Sequence, residues 1–129
     1  LQTNLLGAFL VLRHALPCLR PSSDAWIYNM SSRLGSIELR GSTQLGGAIA
    51  YECSKAGLNM LTKQAAIDLA ENGIKVVSLS PGWVKTEMGG VDAKYSVEDS
   101  VSKMLDVTDH LTLLQNGRFW GEDGEEIPW

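Results

Sequence analysis

The chain has 129 residues, 44% hydrophobic and 20% charged, with a formal net charge of −4. That length and apolar content fit one domain or part of one, and exclude a mostly disordered chain. A mildly acidic chain whose Lys and Arg residues are scattered singly is a poor binder of nucleic acid or anionic membrane.

Residues 1–20 read as a helix. Leu5, Phe9, Leu12, Leu16 and Leu19 recur at spacings of four and three, the period of a helical stripe. Leu6, Leu10 and Val11 widen the apolar surface, so this helix is expected to be buried, or to pack against both a sheet and another subunit. Pro17 and Pro21, followed by Ser22, Ser23 and Asp24, are expected to end it. The most apolar stretch, residues 5–12, is too short to span a bilayer and resembles no secretory signal. The expected location is the cytoplasm. The sequence opens on Leu1 rather than Met, inside an apolar segment without an N-cap, and so reads as a fragment.

Residues 25–31 read as a strand, with Trp26, Ile27 and Tyr28 as its β-formers. A loop from residue 33 to about 47 carries Gly35, Gly41, Gly46 and Gly47, a length expected of a substrate loop or lid. Residues 48–72 read as a long helix stopped at Asn72-Gly73, and residues 74–79 as a buried parallel strand ended by Pro81-Gly82. A loop runs through Gly89-Gly90. A helix over 97–107 carries Val97, Val101 and Leu105, and a last strand over 117–120 leads into a Gly- and Glu-rich tail ending at Trp129. The alternation of helices and strands predicts an α/β fold with a parallel sheet and helices on both faces. Only about three strands are visible. Cys18 and Cys53, without a CxxC, read as small buried residues in a reducing compartment.

The chemistry centres on Tyr51 and Lys55. Four positions apart on a helix, they share a face. A phenol (reference pKa about 10) is a poor acid or base near neutrality, and an ammonium held a few ångströms away favours the phenolate. Ser32 stands directly after a predicted strand, at the sheet edge where open α/β folds place their sites. It can donate to a carbonyl oxygen that gains charge, or simply cap a turn. Residues 80–86, Ser-Pro-Gly-Trp-Val-Lys-Thr, follow the next strand. The turn is expected to free backbone groups of Trp83 and Val84 for a flat amide, with the Thr86 hydroxyl nearby. His14 and His110 lie 96 positions apart and no Cys/His cluster has ligand spacing, so no metal site is expected. No Gly-x-Ser-x-Gly elbow is present, which disfavours a hydrolase. Residues 41–47 lack the spacing of a phosphate loop. Asp123, Glu125 and Glu126 read as a solvated tail, and Trp83, Trp120 and Trp129 as packing residues, with Trp83 also a candidate pocket wall.

Four segments, Asn4-Leu5-Leu6-Gly7, Asn29-Met30-Ser31-Ser32, Tyr51-Glu52-Cys53-Ser54-Lys55 and Pro81-Gly82-Trp83-Val84-x-Thr86, resemble in order the motifs of the short-chain dehydrogenase/reductases. The tail from Gly117 is similar to the C-factor/sniffer-like carbonyl reductase group. The resemblance covers essentially the whole chain. It implies a single partial domain over 1–129, the C-terminal catalytic portion of a Rossmann-like doubly wound parallel sheet, without the βαβ units that bind the cofactor phosphates. It implies an NAD(P)-dependent oxidoreductase acting on a small or lipophilic carbonyl or alcohol substrate, with NADP favoured over NAD.

By that resemblance Tyr51 is the general acid/base, and Lys55 favours the phenolate and binds the nicotinamide ribose. Ser32 polarises the carbonyl, and Asn4 holds, through its backbone, a relay water to Lys55. Pro81, Gly82, Trp83, Val84 and Thr86 position the nicotinamide carboxamide. Ser32 and Tyr51 lie 19 positions apart, longer than is usual in the family, which is expected to alter substrate access. A homodimer or homotetramer paired through helices 1–20 and 48–72 is implied for the intact protein. The alternative is a catalytically inactive fragment serving as an interaction or dimerisation module.

Overall fold

The computed structural model describes residues 1–41 and 48–129. Gly46 and Gly47, in the expected substrate loop, therefore lie outside the described residues. Three strands, β1 (Trp26–Met30), β2 (Lys75–Ser80) and β3 (Phe119–Gly121), form a parallel sheet in that order. Met30 lies opposite Leu79, and Ser80 opposite Gly121. All three strands therefore end at the same edge, bringing Ser31-Ser32, Pro81-Gly82 and Glu122-Asp123 side by side.

β2 is central. Its β-branched run is covered on both faces, with Val76 and Val77 fully buried, as a parallel strand between helices requires. Ala25, Ala65, Ala66, Leu69, Ile74 and Val76 form a core cluster, and Leu12, Leu16, Leu19 and Ile27 pack against it.

The first helix begins as a π turn (Gln2–Gly7) and continues as α1 (Ala8–Leu19). Pro17 does not end it: the helix runs on to Leu19. Proline's φ is compatible with a helix, and in the last turn its missing N–H costs one bond near a fraying end. No residue of α1 is fully buried, and Leu6, Phe9, Leu10 and Val11 are exposed. Full burial of this helix within the chain is thus corrected: only its Leu12-Leu16-Leu19 stripe meets the core.

Helix α2 (Ile49–Asp68) continues into a 3-10 turn (Ala70–Asn72), and Gly73 at φ +70° turns the chain into β2. Its sheet-facing side carries Ser54, Leu58, Asn59, Thr62, Ala65 and Ala66. Cys53 falls off this face and Cys18 sits in the last turn of α1; both are exposed, which corrects their reading as buried.

Small and polar residues let α2 approach the sheet closely, and their polar groups are paired. Thr62 Oγ1 accepts from Asn29 Nδ2 (2.9 Å) and Ser78 Oγ (2.9 Å) and donates to the Leu58 carbonyl (2.9 Å). Ser31 Oγ donates to Asn59 Oδ1 (2.6 Å), whose amide donates to the Gly35 carbonyl (3.3 Å). Among the described residues, no buried side-chain polar atom lacks a partner. Thr62→Val keeps the shape but strands two buried donors, so a loss of about 2–4 kcal/mol is expected, read as a lower urea midpoint with an unchanged m-value.

Helix α3 (Val97–His110) is capped by Ser96, whose hydroxyl accepts from the Asp99 N–H (3.0 Å); Glu98 and Asp99 lie in its first turn and His110 in its last. It runs three residues past the expected end. After β3 the chain turns at Gly124 (φ +81°) and folds back, with Trp120 bridging Glu126 antiparallel and Trp129 stacked on Phe119 (5.8 Å between ring centres). The tail is therefore not merely solvated. Arg118 pairs with Glu126 (2.7 Å) and Arg33 with Asp123 (3.0 Å), because the turn carries these carboxylates back to the sheet edge; Asp123, Glu125 and Glu126 are all exposed, as expected.

Candidate active site

A cleft of about 510 Å³ opens at the shared C-terminal edge of β1 and β2. Ser32, Tyr51, Pro81, Gly82, Trp83, Val84 and Thr86 all line it. These residues come from three separate stretches of sequence, and the parallel sheet is what gathers them.

Ser32 has extended backbone (φ −157°, ψ 146°) and caps the 3-10 turn Arg33–Gly35 by accepting the Leu34 N–H at 3.2 Å. The capping and polarising readings are therefore compatible. A hydroxyl that accepts from the backbone keeps its own proton to donate. The far end of the turn rests on α2: a Cβ at Gly35 would lie 2.7 Å from Lys55 Cβ.

Lys55 Nζ donates to the Met30 carbonyl at 2.7 Å and lies 5.6 Å from the centre of the Tyr51 ring. The Met30 carbonyl takes one of the ammonium's three donors. Half-burial holds the Lys55 pKa below its ordinary value, because desolvation penalises the charged form. Between the depressed folded pKa and the unfolded one near 10.5, the unfolded chain binds more protons, so stability rises with pH through that window. The rise is expected in pH-dependent urea unfolding and should be smaller in Lys55→Met; equal slopes would contradict the burial.

Asn4 lies in the π turn and donates from Nδ2 to Ser54 Oγ (3.0 Å), the residue beside Lys55. Gly57 lets that turn approach α2, since a Cβ there would sit 2.9 Å from Leu5 Cδ2. Single π turns within helices recur at functional sites. Asn4 thus reaches α2 next to the lysine but does not line the cleft.

In the loop after β2, Val84 bridges Tyr95 in parallel: Tyr95 N–H donates to the Trp83 carbonyl (3.0 Å) and Lys85 N–H to the Tyr95 carbonyl (2.8 Å). The Trp83 carbonyl is therefore already engaged, not free as expected. In such a bridge the residue's own N–H and C=O point the opposite way, so those of Val84 are directed away from Tyr95. Thr86 Oγ1 accepts from the Gly89 N–H (3.1 Å) and donates to the Val84 carbonyl (3.4 Å). Ser100 of α3 ties down the loop through the Pro81 carbonyl (2.7 Å). The fit for a nicotinamide is good: a backbone amide aimed off the bridge, a glycine turn, and a lysine with donors to spare.

The rest of the wall was missed in the sequence. Leu34, Met88, Val97, Val101 and Met104 line the cleft, and among the described residues no charged one does. The spacing of Val97 and Val101 was visible, but it reads equally as a core stripe. Among the described residues, no helix is long and apolar enough to cross a membrane, and no group of three His, Cys, Asp or Glu could hold a metal.

The family model for short chain dehydrogenases matches residues 1–95. C-signal of Myxococcus xanthus is 44% identical over 126 residues, spanning 98% of this chain and 74% of that protein. An oxidoreductase of Schizosaccharomyces pombe is 32% identical over 145 residues, spanning 99% of this chain and 56% of its own length. Among solved structures, carbonyl reductase Sniffer of D. melanogaster superposes with a TM-score of 0.93 at 37% identity, covering 99% of this chain and 55% of its own. An NADPH-bound carbonyl reductase from chicken fatty liver gives 0.90 at 37% identity, with 98% and 54% covered. The chain spans about half the length of these two structures. Its parallel sheet with flanking helices is Rossmann-like, as theirs is, and the chain belongs to the short-chain dehydrogenase family.

Proposed function

We propose that this chain carries the catalytic face of an NAD(P)-dependent carbonyl reductase, with Tyr51, Lys55, Ser32 and Asn4 as its catalytic set. The observation that carries the proposal is the convergence of Ser32, Tyr51 and the loop 81–86 on one cleft, with Lys55 beside Tyr51.

When bound, the cofactor supplies a hydride to the carbonyl carbon. Tyr51 gives its phenolic proton to the carbonyl oxygen, and Ser32 donates a hydrogen bond to that oxygen as it gains charge. Lys55 keeps a positive charge beside the phenol and offers its remaining donors to a ribose hydroxyl. Asn4 contributes to proton resupply through the π turn beside Ser54. Pro81, Gly82, Trp83, Val84 and Thr86 hold the carboxamide, with Val84 as the main backbone contact.

The substrate matched to this largely apolar wall is an uncharged aldehyde or ketone with an aliphatic or aromatic body, since an ionised group would be desolvated against Leu34, Met88, Val97, Val101 and Met104. NADP is preferred to NAD, supported by the NADPH bound in the chicken fatty liver enzyme. The test is fluorescence titration of the purified chain with NADPH and with NADH, followed by turnover of an apolar aldehyde. Saturable binding, tighter for NADPH, with turnover supports the enzyme. A folded sample that binds neither overturns it for this chain.

A second reading, a pairing module, is favoured by the exposed Leu6, Phe9, Leu10 and Val11 of the first helix and Met60 and Ile67 of α2, a surface apolar enough for a helix-to-helix contact between copies in a homodimer or homotetramer. Dimeric or tetrameric mass in sedimentation without cofactor binding would select it.

A further inference from the structure

We infer that Glu122 and Arg33 form a brace that sets Ser32 and the Pro81-Gly82 turn in register with each other, an inference resting on the proposed role of Ser32. Both are positioning residues, and neither lines the cleft. Glu122 is 7% exposed, at the end of β3. Its Oε2 accepts from Arg33 Nη2 at 3.3 Å, and the same nitrogen reaches Asp123 Oδ2 at 3.0 Å.

Arg33 follows Ser32 directly and opens the turn that Ser32 caps. The other side of the Glu122 carboxyl lies against the second loop: a Cβ at Gly82 (φ +75°) would sit 2.7 Å from the carboxyl carbon and from Oε1, and 2.9 Å from the Tyr95 ring. A Cβ at Gly121 would collide with the Arg33 guanidinium and with Asp123. Two glycines thus make room for this pair. One carboxylate touches the carbonyl-polarising turn through Arg33 and the carboxamide-holding turn through Gly82.

A buried charge that loses its partner is costly, and a positioned pair resists displacement of either end. Without the brace, the tie at Ser100 still holds Pro81 and the contact at Lys55 still holds Gly35. The two turns stay folded but lose their mutual register.

The test is hydrogen exchange by mass spectrometry on the full chain, comparing wild type, Glu122→Gln, Arg33→Gln and the double variant. Glu122→Gln preserves volume. It is expected to speed exchange about tenfold in segments 33–36 and 81–84 together, with α1 and β2 unchanged, and the double variant is expected to add little to either single change. Faster exchange confined to 119–126, equal loosening throughout, or full additivity would overturn the brace. Where turnover is measurable, kcat should fall about tenfold with NADPH affinity held within about twofold. Coupled loosening in a chain that binds no cofactor leaves the brace standing and removes the catalytic reading. Cofactor binding and turnover without coupled loosening does the reverse.

Discussion

Tyr51→Phe is expected to lower NADPH-dependent aldehyde reduction by ~10²–10⁴-fold, the range over which a positioned proton donor contributes. The substitution removes one oxygen from a half-buried ring, and no hydrogen bond of the core network runs through it; those bonds belong to Asn29, Ser31, Asn59, Thr62 and Ser78. Folding should therefore be unchanged, so the loss appears in kcat while the urea midpoint holds. Ser32 and Lys55 remain in place, and some rate above background should survive. A loss below about tenfold would remove the phenol from the proton transfer. A matching fall in stability would mean a structural effect instead. Comparing kcat, NADPH affinity and urea unfolding for the two proteins separates the three outcomes.

Gly35→Ala is expected to damage both the fold and the site. The new Cβ would lie 2.7 Å from Lys55 Cβ, 2.8 Å from its carbonyl carbon and 3.1 Å from the Ala56 nitrogen. Two of these neighbours are backbone atoms within α2, so the side chain cannot swing clear. The turn must lift off the helix, stretching the Asn59 bond to the Gly35 carbonyl (3.3 Å) and moving Ser32, three residues back. Overpacking of this kind costs about 1–3 kcal/mol, and a displacement near 1 Å at a reacting group costs on the order of 10²-fold in rate. Gly7→Ala is the control, since its Cβ would meet only the Gln2 carbonyl at 3.5 Å, an ordinary contact. Thermal unfolding and turnover of the two variants should differ sharply, and similar behaviour would refute the close approach.

The elements were legible because each has a strong local signature. The 48–72 helix stopped at Gly73, where only a left-handed residue fits, and the Val-rich run after it could only be a doubly covered strand. The first helix closes at Leu19, within the expected 1–20, because a proline at position 17 weakens a last turn without having to end it. The cysteines misled because burial on a helix depends on which side meets the sheet. Asp123 and Glu126 are exposed as their sequence suggests, but their ion pairs with Arg33 and Arg118 were not legible, because a reversal at Gly124 brings these partners together. The lone periodicity of Val97 and Val101 carried no sign of whether a core or a cleft lay opposite.

Local chemistry alone determined the α/β alternation, the parallel sense of the sheet, and the residue types able to move a proton: a phenol and an amine one helical turn apart, and a hydroxyl after a strand. These depend on periodicity and side-chain reactivity, which are properties of short segments. Only the tertiary structure decided that Ser32, Tyr51 and residues 81–86 face one largely apolar cleft, that Gly35 is pressed on Lys55, and that Glu122 is buried between Arg33 and Gly82. Those relations join residues up to 89 positions apart, and they exist because parallel strands bring their C-terminal ends to one edge, a consequence of backbone pairing that no local pattern encodes.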